Sequence, residues 1–143
     1  IRKGSGLIMS GHTYSGHPLS CATAHKVLEI VEEDQLLDNV NKRGVQIKRG
    51  LGDLQRKYSF IDTIRGKGLM MGIEFTPSVK GLQNKFIDKC FQNGLLVYPA
   101  VGGPEGKDEN GVIISPPFII TLEESDELLQ KFDQSLNEVS REL

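Results

Sequence analysis

The residues whose types could do chemistry gather in the run Gly11-His12-Thr13-Tyr14-Ser15-Gly16-His17-Pro18. Hydroxyls are dense there, and two glycines let backbone come close to a ligand. Pro18 suits the first turn of a helix, where no intrahelical N–H is required. A helix N-terminus with free amides beside hydroxyl groups is a ready anion site. A plain capping loop would have the same composition. His12 and His17 stand five apart with no carboxylate or cysteine at ligand spacing, so the histidines do not form a metal set. Ser15 lies outside any G-x-S-x-G elbow. Arg65, beside the glycines of Gly66-Lys67-Gly68, could hold a substrate carboxylate in a bidentate fork. It could equally pair with a local acid. Asp108 and Glu109 could meet an amine, or belong to a solvated loop.

The elements that must position these groups follow from periodicity. Ile1 to Ser10 reads as an extended lead-in. From Leu19 to Glu33, Ala24, Val27, Leu28 and Val31 recur at the spacing of an amphipathic helix, with a break near Asp34. A second helix is predicted from Gln35 to Tyr58. Its stripe is Leu37, Val40, Gly44, Ile47, Leu51 and Leu54, and its glycines favour packing on a sheet over a coiled coil. Ile61 to Arg65 and Leu69 to Phe75 read as antiparallel strands about a glycine turn. A third helix is predicted to start at Pro77-Ser78, bury Leu82, Phe86, Ile87 and Cys90, and stop at Asn93-Gly94. Leu95 to Tyr98 reads as a short strand ended by Pro99. Ala100 to Gly111 reads as a surface loop, and Val112 to Ser115 as a buried strand stopped by Pro116-Pro117. Thr121 to Glu124 spells a capping box for a last helix with Leu129, Phe132, Leu136, Val139 and Leu143 on one face. The fold class expected is α+β in two layers, a small mainly antiparallel sheet covered by helices on one side.

Composition narrows the rest. With 143 residues and a net charge of −2, one domain with a real core is expected. The mixed charges leave no footprint for nucleic acid and no basic membrane patch. No apolar run reaches membrane-spanning length, and no signal pattern stands at the front. The two cysteines, Cys21 and Cys90, fall in helical patterns and read as small buried hydrophobes, with a reducing cytoplasm as the default compartment. The chain begins at Ile1 rather than Met, which suggests a fragment.

Three stretches are more specific than their pattern. GHTYSGHPLSCATAHKVLEIVEE, IRGKGLMMGIEF and ISPPFIITLEESDELL stand in this order along the chain. Together they resemble the C-terminal small-domain portion of class III aminotransferases, which are pyridoxal-phosphate (PLP) enzymes of fold type I. The resemblance implies a lead-in and cofactor-phosphate loop over residues 1–18 and the small domain over 19–143. It implies that Thr13 binds the cofactor phosphate across a homodimer interface, with His12 and Tyr14 beside it, and that Arg65 is a substrate-side candidate. The Schiff-base lysine of such enzymes lies upstream, on an N-terminal large domain. Lys3 does not stand in that lysine's motif, so this chain is expected to hold no catalytic residue and to be inactive alone.

The partners so implied are an amino donor, a keto-acid acceptor, the missing large domain and a second subunit. Ornithine-like and acetylornithine-like members carry an Arg at the position of Ile113, and the loop from Gly102 to Gly111 has Lys107 but no Arg. The wording leans instead to the ω-amino-acid or amine branch, with pyruvate as a common acceptor. The competing reading is a free-standing α+β ligand-binding or dimerisation module without enzymatic activity.

Overall fold

In the computed structural model, the residues described are 11–78, 81–100 and 110–143. The lead-in before Gly11 and most of the predicted loop, with Lys107, Asp108 and Glu109, lie outside them. The chain divides into two compact units, Ile1–Gln35 and Leu36–Leu143.

The first unit carries helix α1, Pro18–Glu33. Pro18 occupies the first turn, as the sequence suggests, and Asp34 caps the other end. Gln35 follows with φ at 50°, a left-handed turn that ends the helix run. The apolar stripe predicts a buried face, but no residue of α1 is buried. Val27 and Leu28 are exposed, and so is Cys21, against the expectation of a buried cysteine. Periodicity reports that a helix has an apolar side, not that the same chain covers it.

The second unit holds everything else: α2 (Leu36–Lys57), β1 (Ile61–Lys67), β2 (Met70–Phe75), α3 (Leu82–Gln92), β3 (Tyr98–Ala100), β4 (Gly111–Ile114) and α4 (Leu122–Ser140). Its four strands form one sheet in the order β1-β2-β4-β3, antiparallel at every pairing. The predicted class is therefore the observed one. Along β2, Met71, Ile73 and Phe75 are buried while Met70, Gly72 and Glu74 alternate to the other face. Helices α2, α3 and α4 send Ile47, Leu51, Leu82, Phe86, Phe132 and Leu136 into that buried side. A line of rings runs through it. Phe60, Phe75, Phe86 and Phe132 follow one another at centroid spacings of 6.3, 5.4 and 4.8 Å. Cys90 lies in this core, and burial pushes its thiol up to about 11.

Several elements differ from the sequence reading in informative ways. On α2, Leu36 is buried and Leu37 is exposed, so the true stripe begins one residue earlier. Gly44 belongs to it because α2 lies against the β1–β2 turn, where a Cβ would stand 2.4 Å from the Gly68 carbonyl oxygen. The third helix starts at Leu82 rather than at Pro77-Ser78, which form a turn. Gly94, at φ 74°, stops it as predicted, with the Leu95 amide donating to the Cys90 carbonyl at 2.8 Å. Pro99 does not end β3 but sits in its middle, paired with Val112, because an edge strand tolerates a residue without an N–H. On α4 the capping box forms as spelled: the Glu124 amide donates to Thr121 Oγ1 at 3.1 Å, and the Thr121 amide to Glu124 Oε2 at 2.8 Å. Leu128 is buried where Leu129 is only partly so, and Leu143 lies past the helix, exposed.

The Pro-Pro segment before α4 is tied to α2 by a side-chain amide. Asn39 Nδ2 donates to the carbonyls of Phe118 at 2.7 Å and Ile120 at 2.9 Å. Where β3 leaves β4, buried Gln83 does the same work, donating to the Ala100 and Gly111 carbonyls at 2.8 and 2.6 Å. Each side-chain amide thereby satisfies two backbone carbonyls.

Candidate functional site

In the first unit, the hydroxyl-rich loop closes into turns just before α1. The Ser15 amide donates to the His12 carbonyl at 2.9 Å, and the His17 amide to the Tyr14 carbonyl at 3.1 Å. The His12 amide donates to Ser15 Oγ at 3.0 Å, so Ser15 is spent on holding the loop. Gly16 takes φ 75°, the left-handed conformation that lets the chain reverse into the helix. The Tyr14 ring meets His17 edge-on at 5.6 Å. The structure thus brings His12, Thr13 and Tyr14 together on one turn, and all three side chains are exposed.

The helix that follows has no side-chain cap. Its first backbone bond is the Cys21 amide to the His17 carbonyl at 3.0 Å, which leaves the Leu19 and Ser20 amides ahead of it. A hydroxyl and helix-end amides in one exposed turn place several hydrogen-bond donors side by side. That is the chemistry a phosphate group asks for, so these residues fit a phosphate-bearing cofactor such as PLP.

In the second unit, Arg65 stands on the sheet face that the helices leave open. The pairing sets it opposite Gly72, with Glu74 one step along the same face. Its guanidinium Nη2 makes a hydrogen-bonded ion pair with Glu74 Oε1. Both readings of Arg65 therefore keep a foothold: it has a local partner, and its side chain is still 64% exposed. Around the pair is a cavity of about 400 Å³, lined by Met70, Gly72, Ala100 and Ile113 as well. Ile113 pairs with Gly72 across β2–β4, so the position singled out for its missing Arg lies on this same face.

The sequence reading did not name Glu74 or Gly72. The signal was the alternation Met70, Gly72, Glu74 on β2, but it needs the hairpin register to bring those residues beside Arg65. The bulge between Ile61 and Thr63 shifts that register, and no residue type announces it. Among the described residues no group of three or more His, Cys, Asp or Glu side chains is placed to hold a metal ion, and no helix is long and apolar enough to cross a membrane.

An all-antiparallel sheet with helices on one side, preceded by a hydroxyl-rich loop and helix, is the architecture of the C-terminal domain of fold type I transaminases. The sequence comparison agrees: the profile of the class III aminotransferases matches residues 1–136, and the chain belongs to that family. It is 36% identical to the aminotransferase YodT of Bacillus subtilis, over all of this chain and 34% of that protein. It is 35% identical to the chloroplastic gamma aminobutyrate transaminase 3 of Solanum lycopersicum, over 93% of this chain and 26% of that one. Among solved structures, a PLP-bound amine transaminase from an uncultivated Pseudomonas species superposes with a TM-score of 0.77 at 32% identity, covering 92% of this chain and 30% of its own. The chain thus spans about a third of the length of the relatives it matches.

Proposed function

We propose that this chain is the C-terminal, small-domain portion of a PLP-dependent class III aminotransferase. Such an enzyme moves an amino group from an amine or ω-amino acid to a keto acid such as pyruvate. The observation that carries the reading is the family match over residues 1–136, with all three motifs in order. The names of the relatives support the donor class, since one is a gamma aminobutyrate transaminase and another an amine transaminase.

The residues divide the work. Thr13, flanked by His12 and Tyr14, holds the cofactor phosphate by hydroxyl and amide donors on a turn whose shape Ser15 and Gly16 fix. When bound, PLP supplies the electron sink that lets an amino group change carriers. Arg65, on the open sheet face, faces the substrate side and offers a planar fork to a carboxylate. The lysine that bonds to the cofactor belongs to an upstream large domain, and a second subunit completes the phosphate site, so the chain by itself is inactive.

Two measurements test this. Intact mass after incubation with PLP and borohydride reduction is expected to return 15.8 kDa with no specific adduct. One PLP trapped on a single lysine of this chain, or transamination by it alone, would overturn the half-site assignment. In a protein that also carries the large domain, Thr13→Ala removes a charge-assisted hydrogen bond worth about 1.5–3 kcal/mol. PLP retention should fall accordingly, and unchanged retention would remove Thr13 from the site.

A further inference from the structure

Where the β1–β2 turn meets the side of α2, the second unit holds a hollow of about 230 Å³. Two glycines set its walls. Gly44 lets α2 come down onto the turn, against the Gly68 carbonyl. Gly66, at φ 150°, has no room for a side chain, because a Cβ there would collide with the Met70 carbonyl oxygen. Bare backbone therefore closes one side of the hollow. Two lysines from different elements border it, Lys48 of α2 and Lys67 at the end of β1. Asn41 and Val45 line it as well, and their spacing sets them on the same side of α2 as Lys48.

The charge around the hollow is all of one sign. Further along α2, basic side chains have acids to meet: Arg56 pairs with Asp53, and Lys57 with Asp133. Among the described residues, neither Lys48 nor Lys67 has a carboxylate partner, and no acidic residue lines the hollow. Two like charges beside one small space repel each other, and an anion between them is attracted to both. The Lys ammonium is a compact point charge on a flexible stem, a form that suits phosphate oxygens without a fixed fork geometry.

We infer that this hollow is an anion subsite for the phosphate group of a small phosphate ester, with Lys48 and Lys67 as its two cations and the Asn41 amide as a neutral donor. Its volume lies below the roughly 300–1,000 Å³ of pockets that enclose a whole drug-sized ligand, so it takes a head group and leaves the rest of the molecule outside. A dianion satisfies both lysines at once, whereas a monocarboxylate brings only one charge for the two. The inference does not depend on the aminotransferase reading.

The test is a titration of the ¹⁵N-labelled chain with inorganic phosphate in its dianionic form, at constant ionic strength, with acetate run in parallel. Phosphate should give saturable shifts of the Gly66, Gly68 and Lys48 amides, and acetate should bind about fivefold more weakly for the charge it lacks. Lys48→Ala and Lys67→Ala should each weaken phosphate binding about two- to fivefold, the range of one exposed charge contact. The double variant should abolish saturation, and Lys48→Arg should keep it. Lys42→Ala removes a cation of α2 that does not line the hollow and should leave phosphate binding unchanged. All three lysines are exposed, so each variant should keep the spectrum of the fold. Absence of saturable shifts, an equal response to acetate, or a loss in Lys42→Ala as large as in Lys48→Ala would each overturn the proposal. Neither cofactor nor turnover enters the titration, so its failure is distinct from any failure of the aminotransferase reading.

Discussion

The two faces of the sheet are built to opposite rules. On the packed face, Met71, Ile73, Phe75, Val112 and Ile114 are nearly or fully buried under three helices, and each position is dictated by its neighbours. On the open face, at the alternate positions of the same strands, the chain keeps an ion pair, a glycine with room to spare and Met70 at 60% exposure. One face holds the fold together, and the other, among the described residues, carries polar and half-exposed side chains instead.

Breaking the packed face should have the largest effect. Phe86 sits between Phe75 and Phe132, with ring centroids 5.4 and 4.8 Å away, and is fully buried. Phe86→Ala should cost about 3–5 kcal/mol, read as a drop in the urea midpoint. Two glycines sharpen the contrast at the next level. At Gly111 a Cβ would stand 2.6 Å from the Ile73 carbonyl oxygen, and at Gly72 it would meet nothing nearer than 3.8 Å. Gly111→Ala should cost about 1–3 kcal/mol by overpacking. Gly72→Ala should stay within about 0.5 kcal/mol of the parent. Equal losses at the two positions would mean that the backbone around Gly72 is as tightly constrained as that around Gly111.

Smaller effects come from the margins of the helical layer. Thr121→Ala removes the cap of α4 and should cost about 1 kcal/mol. The least is expected of the cluster where the Asp133 carboxylate accepts from Tyr58 Oη and Lys57 Nζ, each at 2.7 Å. Burial acts to raise the Asp133 pKa, but the bonds from Lys57 and Tyr58 outweigh it, so the folded value lies below the ordinary one. The unfolded chain therefore takes up the proton first. The contribution is present above the unfolded pKa and is lost as pH falls through the folded one. The Lys57–Asp133 pair is largely open to solvent, so screening keeps this contribution small. Asp133→Asn should flatten that part of the profile of urea midpoint against pH.

The elements were largely legible in the sequence because their signals are local. The capping box at Thr121, the Asn93-Gly94 stop and the period change around Gly66-Lys67-Gly68 each depend on neighbours within a few residues. The class of the fold followed from their order. What was not legible needed partners distant along the chain. Leu36 rather than Leu37 turns inward because α2 is rotated by what it packs on, not by its own spacing. The α1 stripe reads as a buried face although α1 buries none of its residues. At the candidate site the same divide holds. Thr13, His12 and Tyr14 stood out because they are consecutive in one motif. Arg65 stood out by type, but its partner Glu74 is nine positions away and is set by a bulged register.

Pro99 has one more consequence. A proline has no amide hydrogen to give, so in a paired strand it fits only where its nitrogen turns away from the partner. Here the partner is β4, and the other side of β3 is the rim of the sheet. At the centre of a rim only three residues long, the donor that an incoming strand would need is missing. A stranger chain that tried to add itself there would find no ladder to climb, which guards this edge of the sheet against pairing with a copy.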